Sequence, residues 1–374
     1  MKNPTFKIAA AAMMVAGAFA TQTYAAGFQL SEQSAIQMGR AMAGAGVVGD
    51  DLSAVHYNPA GMTLLSGTRM QATGTWVAVN LDYKGDSGQS ENGRLKGQTI
   101  PAGFITHQIN DSLWAGLGLT VPYGMGTEYG EGWEGKSRGT ESMILTFDIN
   151  PNLAWKVNDM LSVGGGISLQ YAKAELGMGM GPMQANVKGD SWAWGWNVGL
   201  MFQPVETVRL GLAYRSHIAH NAEGHTDVKA SSRNLTSDMK VRIKTPDTVT
   251  LSATWEATDA LRLSGTARWS KWSNFRTLDV QNLDFNGTPY AKFANVPVEN
   301  NWDDTWFFSV GADYKLNGQW TVRGGVAYDQ GPVENQYRMA VIPDTDLYDK
   351  VGGKIGEFKS LDSYIFSAQM QYLF

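Results

Sequence analysis

Apolar and polar residues alternate through most of this chain. Trp192, Trp194, Trp196, Val198, Leu200 and Phe202 share one parity, with Ser191, Ala193, Gly195, Asn197 and Gly199 on the other. The same period runs through Val208, Leu210, Leu212 and Tyr214 against Arg209, Gly211, Ala213 and Arg215. It returns in Leu261, Leu263, Gly265, Ala267 and Trp269 against Arg262, Ser264, Thr266, Arg268 and Ser270. A period of two marks strands with unlike faces. Twelve strands are expected, at 68–83, 97–109, 112–125, 141–157, 160–177, 189–203, 207–225, 239–257, 261–280, 302–316, 320–333 and 359–374. Short turns at 156–159, 203–206 and 315–318 and long polar loops at 124–141, 178–190, 220–240 and 278–300 would then fall on opposite rims.

The stretch from 26 to 65 does not alternate. It is rich in Gly and Ala and carries the turn Asn58-Pro59-Ala60. Short helices are expected over 31–43 and from Asp50 or Asp51 to Asn58, because Asp caps helices and proline disfavours helix just before it. Neither is long enough to stand alone. A compact head before a run of amphipathic strands implies a plug inside a closed barrel.

Alternation alone also fits a soluble sandwich, whose apolar face is the core. The last strand decides between them. Tyr364, Phe366, Ala368, Met370, Tyr372 and Phe374 alternate to the final residue, and an exposed aromatic edge invites aggregation unless it closes against the first strand. The fold class is therefore all-β: a transmembrane antiparallel barrel of about twelve strands, an even number as in single-chain barrels, with the plug in its lumen.

Composition agrees. The 13 Trp, 14 Tyr and 14 Phe fit aromatic girdles, and a mean hydropathy of −0.24 is what interleaved faces average to. There is no cysteine, hence no disulfide framework. Residues 1–25 read as a secretory signal peptide: Lys2 and Lys7, an apolar stretch over 8–20, then Thr23-Tyr24-Ala25. Its loss removes two lysines and no acid, taking the net charge from −5 to −7. The expected organisation is signal peptide 1–25, plug 26–67 and barrel 68–374.

The head resembles the FadL/OmpP1/TodX family of outer-membrane transporters for hydrophobic compounds. The resemblance is carried by Ala26-Gly27-Phe28-Gln29-Leu30, Gly39-Arg40-Ala41, Gly44-x-Gly46, Asp50-Asp51 and Asn58-Pro59-Ala60. Further matches are Tyr171-Ala172-Lys173-Ala174, Gly195-Trp196-Asn197-Val198-Gly199, Tyr214-Arg215-Ser216, Trp269-Ser270-x-Trp272-Ser273-x-Phe275 and Ile342-Pro343-Asp344. It implies a barrel sealed by an N-terminal hatch, in the bacterial outer membrane among lipid and lipopolysaccharide, monomeric, with no cofactor and no nucleic acid. It also implies a kinked third strand packed against the hatch turn. Here the kink would be Val121-Pro122-Tyr123-Gly124, opposite Asn58-Pro59-Ala60, and proline and glycine would break wall pairing there. Family barrels usually have fourteen strands; the short segment after Asp344 implies a smaller one.

The function implied is passive uptake of hydrophobic molecules, most of all long-chain fatty acids, by an extracellular apolar groove, a pocket at the hatch N-terminus and lateral exit through the kink. Neutral aromatic or aliphatic hydrocarbons are the alternative, because Glu175-Leu176-Gly177-Met178 lacks the base that fatty-acid-binding relatives carry there; Lys173 or a lumen arginine could substitute. Candidate ligand residues are Met125, Tyr129, Trp133, Met143, Met178 and Met180, since flexible Met beside aromatics suits adaptable apolar binding. Loop packing explains each of them singly as well. Phe28 is the pocket candidate by family position. Arg209, Arg215, Arg262, Arg268 and Arg323 with Asp329 could steer a carboxylate, though holding the plug is the favoured role for most. His217, His220 and His225 suggest a solvated strand end or loop rather than a metal site. An outer-membrane lipid hydrolase would need a Ser-His or Asp-His constellation, for which the five histidines offer no motif.

Overall fold

The computed structural model describes residues 27–130, 132–230, 233–281, 298–333, 346–348 and 354–374. The signal-peptide segment, most of the 278–300 loop and Ile342-Pro343-Asp344 lie outside the described residues.

In chain order the strands are β1 (Thr68–Gly85), β2 (Ser90–Gln108), β3 (Leu113–Thr120), β4 (Gly124–Glu128), β5 (Glu141–Lys156), β6 (Leu161–Met180), β7 (Met183–Val205), β8 (Val208–Arg215) and β9 (Ala219–Ala230). There follow β10 (Arg233–Lys244), β11 (Thr248–Glu256), β12 (Leu261–Ser270), β13 (Thr277–Gln281), β14 (Val298–Glu299), β15 (Thr305–Lys315), β16 (Thr321–Asp329), β17 (Asp346–Tyr348) and β18 (Lys354–Leu373). Each of the twelve expected runs falls on strand. All pairings among the described residues are antiparallel and run as a meander, with β1 joined to both β2 and β18. In it β3 with β4, β8 with β9, β10 with β11 and β12 with β13 each act as one interrupted strand: β3 and β4 both pair with β5, β8 with β11, β9 with β10 and β12 with β15. The last aromatic strand thus lies along the first, with Phe366 opposite Trp76 and Met370 opposite Ala72.

Two expected loops are instead strands. β6 and β7 pair as far as Met180 and Met183, turning at Gly181 (φ +61°), and β9 and β10 pair from Ala219 to Arg233. Apolar alternation stops before these hairpin ends because the outward face itself turns polar, with Glu175 opposite Lys188, so the periodic signal ends while the ladder continues.

One sheet face is apolar and exposed: Trp194 is 72% accessible, Val326 70% and Met370 65%. A water-soluble monomer does not display apolar surface on this scale. The other face is covered by the N-terminal segment, Gly27 to Leu65, which holds helices α1 (Ala35–Gly39) and α2 (Ala54–Tyr57) and a 3₁₀ turn (Pro59–Leu64). The first helix is shorter than expected because Ala41 and Met42 adopt left-handed backbone (φ 54° and 65°) straight after Arg40. Asp51 accepts from the Ser53 N–H at 3.1 Å, at the start of the second.

Strands from all around the sheet meet this segment. Trp114 of β3 donates to the Leu65 carbonyl at 2.9 Å, Arg209 of β8 to the Val48 carbonyl at 3.1 Å, and the Leu52 N–H donates to Gln71 of β1 at 2.9 Å. The two ends of the strand order converge on α1: the Ala35 N–H donates to Gln369 of β18 at 2.9 Å, and Gly39 lies against Arg323 of β16. A sheet whose first and last strands touch one five-residue helix is curled around it.

Candidate functional site: a patched break in the wall

Strand three is interrupted at Val121-Pro122-Tyr123, between β3 and β4. Proline brings no N–H to the ladder, so pairing fails there. The N-terminal segment supplies the lost partners. The Leu30 N–H donates to the Pro122 carbonyl at 2.9 Å and the Gly124 N–H to the Phe28 carbonyl at 3.0 Å, with Gln29 bridging Tyr123. The Gln33 amide donates to the Val121 carbonyl at 2.8 Å. Residues 28–30 therefore patch the break as one more short extended piece.

The Asn58-Pro59-Ala60 turn does not pack here, which corrects the expectation that it faces the break. It sits on β6, β7 and β8, where Asn58 donates to the Leu200 carbonyl at 3.1 Å. A Cβ at Gly164 would lie 2.7 Å from Pro59, and one at Gly199 would lie 2.9 Å from the Pro59 ring. A compact turn needs a bare glycine floor, whereas a broken ladder is matched by extended backbone. Each feature found the partner its shape allows.

Beside the patch, Phe28 is enclosed by Tyr123, Trp272, Phe275 and Trp302, with ring centroids 5.8, 4.8, 5.5 and 5.6 Å away. Met125 and Ile144 pack against this cluster. Edge-on contacts of this kind stabilise beyond the area they bury. Trp272 and Phe275 flank a short 3₁₀ turn that interrupts β12 and β13, so two wall irregularities meet over one side chain.

Below Gln29 and Leu30 lies a cavity lined by His56, Tyr57, Arg215 and Arg268. Both terminal nitrogens of Arg215 are occupied: Nη1 donates to Ser168 (2.8 Å) and pairs with Asp148 at 3.5 Å, and Nη2 donates to the His56 carbonyl (3.0 Å) and Asn150 (3.2 Å). His56 is held well below its ordinary pKa by burial, and the neighbouring cations act in the same direction. Tyr57 is pushed up by burial and donates to the Ser31 carbonyl at 2.7 Å. Burial raises the Glu32 carboxyl to about 6, with Asp329 adding to the rise and Arg268 opposing it.

A second polar site ties the N-terminal segment to the wall. Arg40, buried, grips Asp50 with two hydrogen bonds (2.9 and 3.0 Å) and reaches Asp313 of β15 at 3.1 Å. Arg262 and Arg323 each pair with both carboxylates, and Glu256 joins Arg262 (2.7 Å) and Arg209 (3.7 Å). Burial alone would raise the Asp50 carboxyl, yet Arg40, Arg323 and Arg262 together hold it well below the carboxylate range. Of the five singled-out arginines, Arg209, Arg262 and Arg323 belong to this network, while Arg215 and Arg268 reach the segment elsewhere, at His56 and Ser31.

The other candidate residues scatter. Tyr129 and Trp133 stack (4.2 Å, 13°) in a separate cluster with Tyr83, Leu347 and Phe358. Met178 packs with Met183, Leu235 and Val228 on the extended hairpins. The Met180 side chain lies outside what is described. Met143 and Lys173 fall on the outward parity, in line with exposed Leu145 and Phe147, and Lys173 pairs with Glu175 at 2.9 Å. Their expected place in a groove is thereby corrected: period-two geometry turns them away from Ile144 and the cage. His217 meets Asp247 and His225 meets Asp227, whereas His220 lies between Ser191 (3.0 Å) and Gln170 (3.1 Å). That Ser–His–Gln trio was not visible as a motif, since its members come from three strands.

The profile of a family described as outer membrane protein transport protein (OMPP1/FadL/TodX) matches residues 16–350. The chain is 27% identical over 393 residues to a long-chain fatty acid transport protein of Escherichia coli, covering 92% of this chain and 86% of that one. It is 27% identical over 401 residues to outer membrane protein P1 of Haemophilus influenzae, covering 92% and 85%. In fold it is similar to the crystal structure of a Pseudomonas aeruginosa FadL homologue, with a TM-score of 0.83, 24% identity and coverage of 93% and 100%. It is also similar to the Ralstonia pickettii toluene transporter TbuX, with a TM-score of 0.67, 20% identity and coverage of 87% and 94%.

Proposed function

The chain belongs to the OMPP1/FadL/TodX family of outer membrane transport proteins, and on that premise we propose that it takes up long-chain fatty acids by lateral exit through the patched break. It is an outer-membrane transporter of hydrophobic compounds and not an enzyme. In the proposed form, residues 1–25 are the signal peptide, 26–67 a hatch and 68–374 a closed monomeric barrel of about twelve strands, among outer-membrane lipid and lipopolysaccharide. Closure satisfies every backbone group in lipid and puts the exposed Trp and Leu face against acyl chains.

A ligand enters from the long hairpins, where Tyr129, Trp133 and Met178 offer apolar surface. It passes to the pocket held by Phe28 and Met125 and leaves between Pro122, Tyr123 and Gly124 when residues 28–30 come away. Asn58, Pro59 and Ala60 keep the hatch seated. The observation that carries this reading is the break itself, tied on one side to Thr146 of β5 and closed on the other by backbone and the Gln33 side chain of the N-terminal segment. Such a patch separates without tearing the continuous ladder on either side.

Neutral hydrocarbons are the second reading, favoured by the pairing of Lys173 with Glu175 on the outward face. Uptake of radiolabelled oleate and toluene by cells lacking their own transporter, with and without this chain, separates the two. Oleate accumulation with no gain in sugar permeation is expected; sugar permeation would mark an open pore, and accumulation of neither compound would refute uptake.

A further inference from the structure

We infer that Arg268 is the seat of a ligand carboxylate, in the cavity just beneath the aromatic cluster that holds Phe28. The inference rests on the uptake reading above and deepens it, naming an acid rather than a neutral hydrocarbon as the molecule held.

Arg268 points inward from β12 and is 93% buried, being 7% accessible. It lines the cavity together with Arg215. The two differ in one respect. Arg215 spends its donors on Asp148, Ser168, His56 and Asn150. Arg268 donates only from Nη1, to Ser31 at 3.2 Å; its Nε and Nη2 have no partner among the described residues.

Those two donors lie on the same edge of the guanidinium plane. That edge is the fork that grips a carboxylate with two parallel hydrogen bonds. A guanidinium stays charged when buried, so the empty edge carries an uncompensated desolvation cost that an anion would relieve. The face of the group is already used, since its Cζ lies 4.7 Å from the centre of the Phe307 ring. The fork is thus held in a fixed orientation before any ligand arrives.

An internal acid is close by. Glu32, next to Ser31, is coupled electrostatically to Arg268, and its Oε2 also has no partner among the described residues. Burial raises its carboxyl only to about 6, so it stays ionised near neutral pH, yet it makes no hydrogen bond to the fork, whose two donors are left for another carboxylate. The apolar part of the ligand has a continuous neighbour: Ser270, two residues along β12, reaches Gln29 at 3.4 Å, and Trp272, two further, stacks edge-on to Phe28. The cavity holds about 30 Å³, room for a carboxylate head at Arg268; the acyl chain would take the path beside Gln29 and Leu30 that opens when residues 28–30 come away.

The test compares oleate with methyl oleate, identical but for the charge, by equilibrium dialysis against the purified full-length mature protein in detergent. Arg268→Gln is expected to weaken oleate roughly tenfold or more and to leave the ester unchanged, while Arg268→Lys, which keeps charge but loses the fork, falls between. Equal loss of both ligands, or loss of neither, would overturn the assignment. Binding of neither by the unaltered protein would overturn the uptake reading itself, and this assignment with it. A measurement on the unaltered protein needs no variant to fold: oleate labelled with carbon-13 at its carboxyl should stay ionised to lower pH when bound than when free in detergent. An unchanged or raised titration would overturn the assignment too.

Discussion

Replacing Asp50 with Asn is expected to loosen the N-terminal segment and let polar solutes leak through the wall it fills. Four guanidiniums, Arg40, Arg209, Arg262 and Arg323, meet three carboxylates, Asp50, Asp313 and Glu256, in one largely buried cluster. Among the described residues, losing Asp50 leaves four cations to two anions and removes the only acid of the segment that ion-pairs in the cluster. Breaking a buried network from one side costs about 3–5 kcal/mol, enough to move a segment whose helices are four or five residues long. Losing Arg40 would leave three against three, so Arg40→Met should be the milder change. Liposome swelling in small sugars reads the difference: faster swelling for Asp50→Asn than for Arg40→Met is expected. In the unaltered protein the same seal should survive mild acid. The Asp50 carboxyl is held below its unfolded value, so its contribution is complete above about pH 4 and is lost only as pH falls through the depressed value.

Gly199→Leu should have a comparable effect by pure shape. A side chain there meets the Asn58 amide and the Pro59 ring, which the Asn58 capping bond to the Ala60 N–H (3.1 Å) keeps in place. Overpacking a seated turn costs roughly 1–3 kcal/mol, and nothing on the opposite side gives way, since Gly46 lies directly behind Asn58. Gly324→Leu, on β16 where an added Cβ meets nothing within 4 Å, is the control: Leu is expected to be tolerated there. Protease susceptibility of the segment in detergent checks the pair. Equal resistance of Gly199→Leu and the unaltered protein would contradict the glycine-floor account.

Much of this was legible in the residues themselves. Alternation located twelve runs of strand, though not the polar hairpin ends, because each wall residue there sees either an apolar or a polar surround, and Pro122 announced the break because a missing N–H is a local fact. Parity also contained the answer for Lys173, which shares its side with Leu169 and Tyr171, but its chemistry suggested otherwise. What filled the break was not legible. Gln29 and Tyr123 stand far apart in the chain, and only the packing of the N-terminal segment on the sheet brings them together. Nor do glycines in a strand say what approaches them; Gly164 and Gly199 reveal their purpose only with Pro59 on top. The free edge of Arg268 belongs to the same class, being defined by partners on other elements.

The most direct test reversibly fastens the patch to the wall. Gln29 and Tyr123 face each other between the two flanking hydrogen bonds, an antiparallel position where Cα atoms stand roughly 4.5 Å apart, within disulfide reach. The chain has no cysteine of its own, so Gln29→Cys with Tyr123→Cys forms a single defined link. Oleate uptake by cells carrying the oxidised double variant should cease and return on reduction; undiminished uptake with the link shown to be fully formed would contradict exit through this break.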